Sequence, residues 1–155
     1  MIVENAKIAD IDLLTELRLA YLKEDYGRLS EDDIRRIRQD LPNYFKKNLN
    51  QNIFCYLMRN KEEIVSCAFL LVVEKPISPA FITGRTGTVL NVYTKPPYRH
   101  KGYAKKIMNK LLLDAAEKKL SVVELKSTED GYHLYKSIGF RDDVSKYHSM
   151  TWFNQ

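Results

Sequence analysis

The order of the predicted elements indicates an α+β fold. A first strand is followed by two helices, and most of the remaining strands come after them, with two further helices interspersed. Two patterns support this prediction: runs of β-branched and aromatic residues that end at Pro or Gly, and apolar residues at helical spacing. A chain of 155 residues is long enough to bury one core, so we expect a single domain over residues 1–155.

The N-terminal part of the chain predicts one strand and two helices. Residues 2–7 form the strand, and Asp10 is in position to cap the first helix. Ser30 is a typical N-cap for the second helix, residues 31–48, which we expect to break or bend near Pro42. The inward face of the first helix is predicted to carry Leu13, Leu14, Leu17 and Tyr21.

Three strands are predicted in the middle of the chain. Residues 53–58 and 64–74 flank a turn at 60–62, and the second of these strands is apolar on both faces, which indicates a central position in the sheet. Residues 76–85 are then a loop. Residues 87–94 form the next strand, which ends at a Lys-Pro-Pro sequence because proline cannot donate to a strand ladder.

The C-terminal part predicts a long helix over residues 104–118 and a short strand over 121–125. A second helix, residues 128–140, ends at a glycine in the usual C-terminal position. An alternating pattern over residues 146–153 predicts a closing strand, whose exposed Trp152 and Phe153 make a homodimer possible.

The turn at residues 99–104 (Arg-His-Lys-Gly-Tyr-Ala) joins a predicted strand to a predicted helix. A helix start offers unpaired N–H groups and the positive end of the helix dipole, and a glycine lets the backbone approach an anion closely. The turn is therefore a candidate phosphate site. On these residues alone, an ordinary connection with a solvated basic face explains it equally well.

Charge and cysteine content narrow the function. The formal net charge of +5 invites an anionic partner, and the one dense basic cluster without acids, residues 95–106, surrounds the candidate phosphate site. A diphosphate-bearing cofactor explains this cluster as economically as DNA does. Cys55 and Cys67 lie in apolar segments, where a disulfide requires that the strands pair, and two cysteines make no metal site.

The sequence gives no sign of a membrane or secretory segment. Its longest apolar run, residues 67–73, is too short to span a bilayer, and its polar start lacks the features of a signal peptide. We therefore expect a cytoplasmic protein.

Two motifs resemble the GNAT superfamily of acyl-coenzyme A-dependent N-acetyltransferases. Arg-x-x-Gly-x-Ala at residues 99–104 follows a strand, and Leu-Tyr-x-x-x-Gly-Phe follows at residues 134–140. The resemblance implies a three-layer α/β/α arrangement with a mixed, mostly antiparallel sheet of about six to seven strands and about four helices. It also implies that the strand of residues 87–94 and its parallel neighbour splay apart to admit the pantetheine arm of acetyl-coenzyme A.

The same resemblance implies an N-acetyltransferase that moves an acetyl group to a primary amine by direct attack. Tyr135 would be the general acid that protonates the leaving thiolate, and the N–H of Val92 would support the oxyanion. The predicted cofactor-binding residues are Val92, Tyr93, Thr94, Arg99, His100, Lys101, Gly102, Tyr103, Ala104, Lys105 and Thr128. Many relatives carry alanine where this chain has Gly131 and asparagine where it has Thr128, whose hydroxyl can still bind the cofactor arm.

The resemblance implies an acceptor that is a small-molecule or peptide amine, and it does not specify which one. Glu24, near the end of the first helix, and Asn91, on the strand of residues 87–94, are candidate substrate-side residues, and no general base is identified. Two alternatives stay open: a non-catalytic acyl-coenzyme A sensor on the same fold and a basic nucleic-acid-binding domain. We expect no nucleic-acid partner and no membrane partner.

Overall fold

A computed structural model describes residues 1–154 and shows a five-stranded mixed sheet with helices on both faces. The strands are β1 (Val3–Asn5), β2 (Ile53–Asn60), β3 (Glu63–Glu74), β4 (Arg85–Thr94) and β5 (Val122–Glu124). The helices are α1 (Ile11–Tyr26), α2 (Glu31–Asn48), α3 (Tyr103–Glu117) and α4 (Glu129–Ser137). The strands lie side by side in chain order, antiparallel from β1 to β4, and β5 runs parallel to β4.

The helix starts show how local sequence places the elements. The Ser30 hydroxyl accepts a hydrogen bond from the Asp33 N–H at 3.0 Å, which confirms the predicted cap of α2. Asp10 directly precedes α1, but its carboxylate accepts from the Lys7 N–H at 2.8 Å and from Arg59 at 2.5 Å instead of capping the helix. The predicted break at Pro42 is wrong, because α2 continues past it and buries Phe45 one turn later.

Two apolar clusters lie on opposite faces of the sheet. One joins α1 and α2 to the sheet through side chains such as Leu14, Leu17 and Phe45. The other joins α3 to the sheet, and α4 packs at its border. Leu13 does not belong to the inward face of α1, because 43% of it is exposed. β3, paired on both sides, is central as predicted.

The predicted closing strand over residues 146–153 is absent, so that prediction is wrong, and the sheet has five strands where six to seven were expected. Residues 141–154 form no strand, and all of them are exposed. An alternating pattern becomes a strand only where a partner edge exists, and β5 offers an edge of only three residues. The tail is held near its start by Asp142, which accepts hydrogen bonds from Tyr132 and Lys136 of α4.

The two cysteines do not form a disulfide. Cys55 and Cys67 are free and buried, and in the β2–β3 ladder Cys55 lies opposite Phe69 while Cys67 lies opposite Leu57. Burial raises the pKa of both thiols. Among residues 1–154, no helix has the length and apolar character needed to cross a bilayer.

Trp152, the single tryptophan, reports on the tail, since 81% of it is exposed. We expect the red-shifted emission of a water-exposed indole and quenching by acrylamide that is the same before and after unfolding. Emission that shifts to the blue as protein concentration rises would contradict an exposed tail in solution and would indicate that it packs on a second copy.

Candidate active site

The first feature of the site is an interrupted strand pair. β5 pairs with β4 only at Thr86, Gly87 and Thr88. In the part of the chain that the structure describes, no strand follows along that side of residues 89–94, which we call the open edge of β4. The backbone N–H and C=O groups of such an edge are free to bind an extended ligand. The parallel pair that the resemblance implied is therefore present, and its pairing ends early.

A β-bulge shapes the open edge. Cys67 lies opposite Tyr93 and Phe69 opposite Leu90, so two steps along β3 correspond to three along β4. Asn91 is the extra residue, with φ of 55°, a left-handed conformation that asparagine tolerates better than most residues. Its buried side-chain amide accepts from Arg18 of α1 at 3.3 Å. The bulge thus joins the open edge to α1.

The bulge also decides which side chains face which layer. Leu90 and Tyr93 pack on the α1–α2 side, whereas Val89 and Val92 pack on the α3 side. Strict alternation would have placed Leu90 and Tyr93 on opposite faces. The insertion keeps the polar Asn91 on the side of α1.

The turn at residues 99–104 leads directly into α3. His100 has φ of 60° and Gly102 has φ of 77°, and Gly102 is the N-cap of α3 with no side chain capping the helix. The first hydrogen bond of the helix runs from the Lys106 N–H to the Gly102 carbonyl at 3.1 Å. The N–H groups of residues 103–105 precede it and point out of the helix start, which is the geometry that binds phosphate.

The cations near this turn are not all free. Arg99 donates to the Thr94 carbonyl and to the Glu24 carboxylate at 2.8 and 2.7 Å, and it stacks over the Tyr93 ring. Lys95 is paired with Glu63 at 2.8 Å. Lys105 and Lys106 are exposed at the start of α3 and remain available to an anionic ligand.

Tyr135 lies on α4 and packs against the α3 side of the sheet, with its ring edge-on to Phe140 at 5.9 Å between centroids. Burial, and to a smaller extent the nearby phenol of Tyr21, raises the pKa of its phenol to about 12. A β-carbon at Gly131 would lie 2.8 Å from the Tyr135 ring, so the glycine makes room for this ring position.

The structure brings some of the predicted residues together. Glu24 reaches the turn through its ion pair with Arg99, and Asn91 accepts from Arg18, which stacks over Tyr21 of α1. Tyr135 is near enough to Tyr21 for that phenol to raise its pKa. The Thr128 hydroxyl accepts from the Gly131 N–H at 3.2 Å and caps α4. Val92 and Thr94 lie on the open edge, and Thr94 shares a hydrogen bond with Ser66 of β3.

Sequence reasoning missed Arg18 and assigned Tyr21 only to the core. Arg18 stacks over the Tyr21 ring at 5.8 Å and contacts the bulge 73 residues away in the chain. The available signal was the spacing of three between them, which places both on one side of α1. Among residues 1–154, no cluster of three His, Cys, Asp or Glu side chains has the geometry to hold a metal ion.

Comparisons with known proteins agree on the family. The model of the Acetyltransferase (GNAT) family matches residues 12–140. A search of curated proteins found no match. Among solved structures, a predicted acetyltransferase with acetyl-CoA from Clostridium acetobutylicum is 27% identical, with a TM-score of 0.83, and the match covers 96% of this chain and 94% of that one.

Two more distant structures share the fold. A GCN5-related N-acetyltransferase from Ralstonia eutropha JMP134 is 21% identical, with a TM-score of 0.79 and coverage of 96% and 97% of the two chains. A ribosomal-protein-alanine N-acetyltransferase from Brucella melitensis biovar Abortus 2308 is 21% identical, with a TM-score of 0.68 and coverage of 97% and 100%. With the interrupted strand pair and the uncapped start of α3, the family match leads to one conclusion: this chain belongs to the GNAT family of acetyltransferases.

Proposed function

We propose that this protein transfers an acetyl group from acetyl-coenzyme A to a primary amine by direct attack of the amine on the thioester. The observation that carries the proposal is the open edge of β4, which is followed in the chain by the uncapped start of α3. Tyr135, which packs with Val92 against the apolar cluster on the α3 side of the sheet, completes the site in this proposal. A strand edge suits the amides of a pantetheine arm, and a helix start suits a pyrophosphate.

The residues of the turn fit a diphosphate. The N–H groups of residues 103–105 point out of the helix, and the left-handed backbone at His100 and Gly102 curves the chain around the same space. A β-carbon on Gly102 would meet nothing within 4 Å, so this side of the turn is open to a ligand. Arg99 acts indirectly, because its guanidinium is paired with Glu24 and holds the turn against α1.

When bound, the thioester supplies the acetyl group together with a thiolate leaving group. The amine nitrogen forms the new amide bond as the carbon–sulfur bond breaks, so the nitrogen loses one proton and the sulfur gains one. The Val92 N–H, on the open edge, would donate to the developing oxyanion. The geometry singles out no carboxylate as a general base, which suits an amine that arrives neutral.

Tyr135 would assist the departure of sulfur. A phenol with a pKa of about 12 stays protonated throughout the neutral range, so it is always able to donate. Its pKa lies above that of an ordinary thiol, about 8.5, so full proton transfer to a free thiolate is unfavourable. We therefore assign it a hydrogen bond to the sulfur that strengthens in the transition state, with proton delivery coupled to loss of the amine proton.

Acetyl-coenzyme A should raise the melting temperature of the wild-type protein. A ligand at a hundredfold excess over its dissociation constant adds about 2.7 kcal/mol to the free energy of unfolding. Lys105→Glu should reduce this shift, because an acid in the first turn favours the helix but repels a phosphate. Lys46→Glu on α2 makes the same charge change on an exposed site away from the turn, and its shift should match wild type. Equal shifts in both variants would contradict the assigned phosphate site.

Tyr135→Phe should retain the acetyl-coenzyme A thermal shift and lose turnover by about a hundredfold or more, the usual contribution of a positioned acid. Release of free thiol with an amine acceptor measures this. Tyr26→Phe is the matched control, since Tyr26 is exposed at the end of α1. Full activity in Tyr135→Phe would overturn the role, and absence of turnover in the wild type despite acetyl-coenzyme A binding would favour a sensor.

The pH profile of kcat should have no falling limb up to about pH 10, the pKa of an ordinary tyrosine. A raised pKa extends the protonated, donating form of Tyr135 to higher pH, and its pKa of about 12 places its loss beyond that range. The rate should rise as the acceptor ammonium deprotonates and then level off. A decline that begins below about pH 10 and disappears in Tyr135→Phe would contradict the raised pKa of Tyr135.

Gly131→Ala should lower kcat more than it lowers acetyl-coenzyme A affinity. Alanine favours a helix by about 1 kcal/mol over glycine, but its β-carbon would displace the Tyr135 ring. Because the displaced ring offsets part of the helix preference, the free energy of unfolding should rise by less than about 1 kcal/mol. Turnover should fall at the same time. His133→Ala, exposed on the same helix, should leave kcat unchanged. Unchanged kcat in Gly131→Ala would show that the ring position does not matter.

A further inference from the structure

Arg18 places a cation beside the bulge of β4. The guanidinium is partly buried, stacks over the Tyr21 ring and donates to the Asn91 side-chain carbonyl at 3.3 Å. Within residues 1–154, no aspartate or glutamate forms an ion pair with it. A guanidinium has five N–H donors, and this single hydrogen bond leaves most of them unused.

The acids near Arg18 do not neutralise it. Glu24, two turns along α1, is engaged with Arg99 at 2.7 Å. Asp25 is exposed, and its charge acts on the Tyr21 phenol, whose pKa is raised first by burial and then by Asp25. A partly buried charge without a counter-ion is costly, and an anionic ligand bound at this place would lower that cost.

The position of Arg18 relates it to the proposed reaction. Asn91, which it contacts, is the residue before Val92, whose N–H we assign to the oxyanion. Tyr21, which it stacks on, is close enough to Tyr135 to raise the pKa of that phenol. Arg18 therefore lies on the α1 side of the point where an acceptor amine must meet the thioester, opposite the side that holds the cofactor.

The geometry points to an acceptor that carries a carboxylate near its amine, with Arg18 binding that carboxylate. This inference rests on the proposed acetyl transfer, and it names the acceptor class that the family leaves open. The flat guanidinium matches a carboxylate with two parallel hydrogen bonds. The class thus includes free amino acids and related amino carboxylic acids.

A carboxylate fits this place better than a phosphate. The site offers one unpaired guanidinium, which balances a single negative charge. Glu24 and Asp25 lie on the same helix and would repel a dianion. O-Phosphoethanolamine, tested beside β-alanine, separates the two anions because both present a primary amine on a short chain.

The test compares acceptors that differ only in the carboxylate, such as phenylalanine with phenethylamine and lysine with cadaverine. In the wild type, kcat/KM should favour the carboxylate member of a productive pair by about tenfold to a hundredfold, the range of charge-assisted hydrogen bonds. Arg18→Gln should remove this preference mainly through KM. Arg35→Gln, an exposed arginine on α2, is the matched control and should keep it.

A purely structural role of Arg18 predicts something different. If the residue only pins the bulge, Arg18→Gln lowers kcat/KM for both members of a pair by the same factor and lowers the melting temperature. That outcome overturns the inference, as does a wild-type preference for the decarboxylated amine or for O-phosphoethanolamine.

A binding measurement covers the case in which no tested acceptor turns over. Saturation-transfer NMR in the presence of coenzyme A should show amino acids bound to the wild type and released in Arg18→Gln. Absence of amino acid binding to a protein that does bind coenzyme A overturns this inference alone. Absence of coenzyme A binding overturns the proposed function, and the inference about Arg18 with it. The coenzyme A measurement therefore distinguishes failure of the inference from failure of the proposed function.

Discussion

The site depends on one constraint, the early end of pairing between two parallel strands. β5 stops after three residues, and β4 continues for six more beyond Thr88. A strand edge of this kind carries unpaired backbone groups inside the fold, which is costly unless something else binds them. The early end of pairing therefore makes this edge the place where we propose that the coenzyme arm binds. The start of α3 lies at the far end of β4, and α1 covers one face of it.

The bulge at Asn91 connects the open edge of β4 to α1 while β4 stays paired with β3. The extra residue turns polar side-chain atoms toward α1 without breaking the ladder with β3, which resumes at Tyr93. The Arg99–Glu24 ion pair makes a second link between α1 and the end of β4. Surface ion pairs add little to the free energy of unfolding, and this one is half exposed. We therefore expect it to fix the position of α1 more than to stabilise the fold. The region of α1 around Arg18 and Tyr21 is thereby held at a fixed place relative to the turn at residues 99–104.

Much of this arrangement was predictable because its signals are local. The cap at Ser30, the apolar character of β3 and the glycine turn before α3 each lie within a few residues, and the structure confirms all three. Features that need a distant partner were not predictable. The closing strand had the right alternation but no edge to pair with, and the contact between Arg18 and Asn91 joins residues far apart in the chain. The bulge is another such case, since alternation predicts an unbroken strand.

In the proposed complex, the open edge of β4 holds the coenzyme arm with its sulfur facing Tyr135. A crystal structure of the protein with coenzyme A would locate each of these groups. We expect amides of the arm hydrogen-bonded to the backbone of residues 89–94, the pyrophosphate on the N–H groups of residues 103–105, and the sulfur within hydrogen-bond reach of the Tyr135 hydroxyl. A coenzyme bound elsewhere, or a sulfur separated from that hydroxyl by intervening side chains, would contradict it.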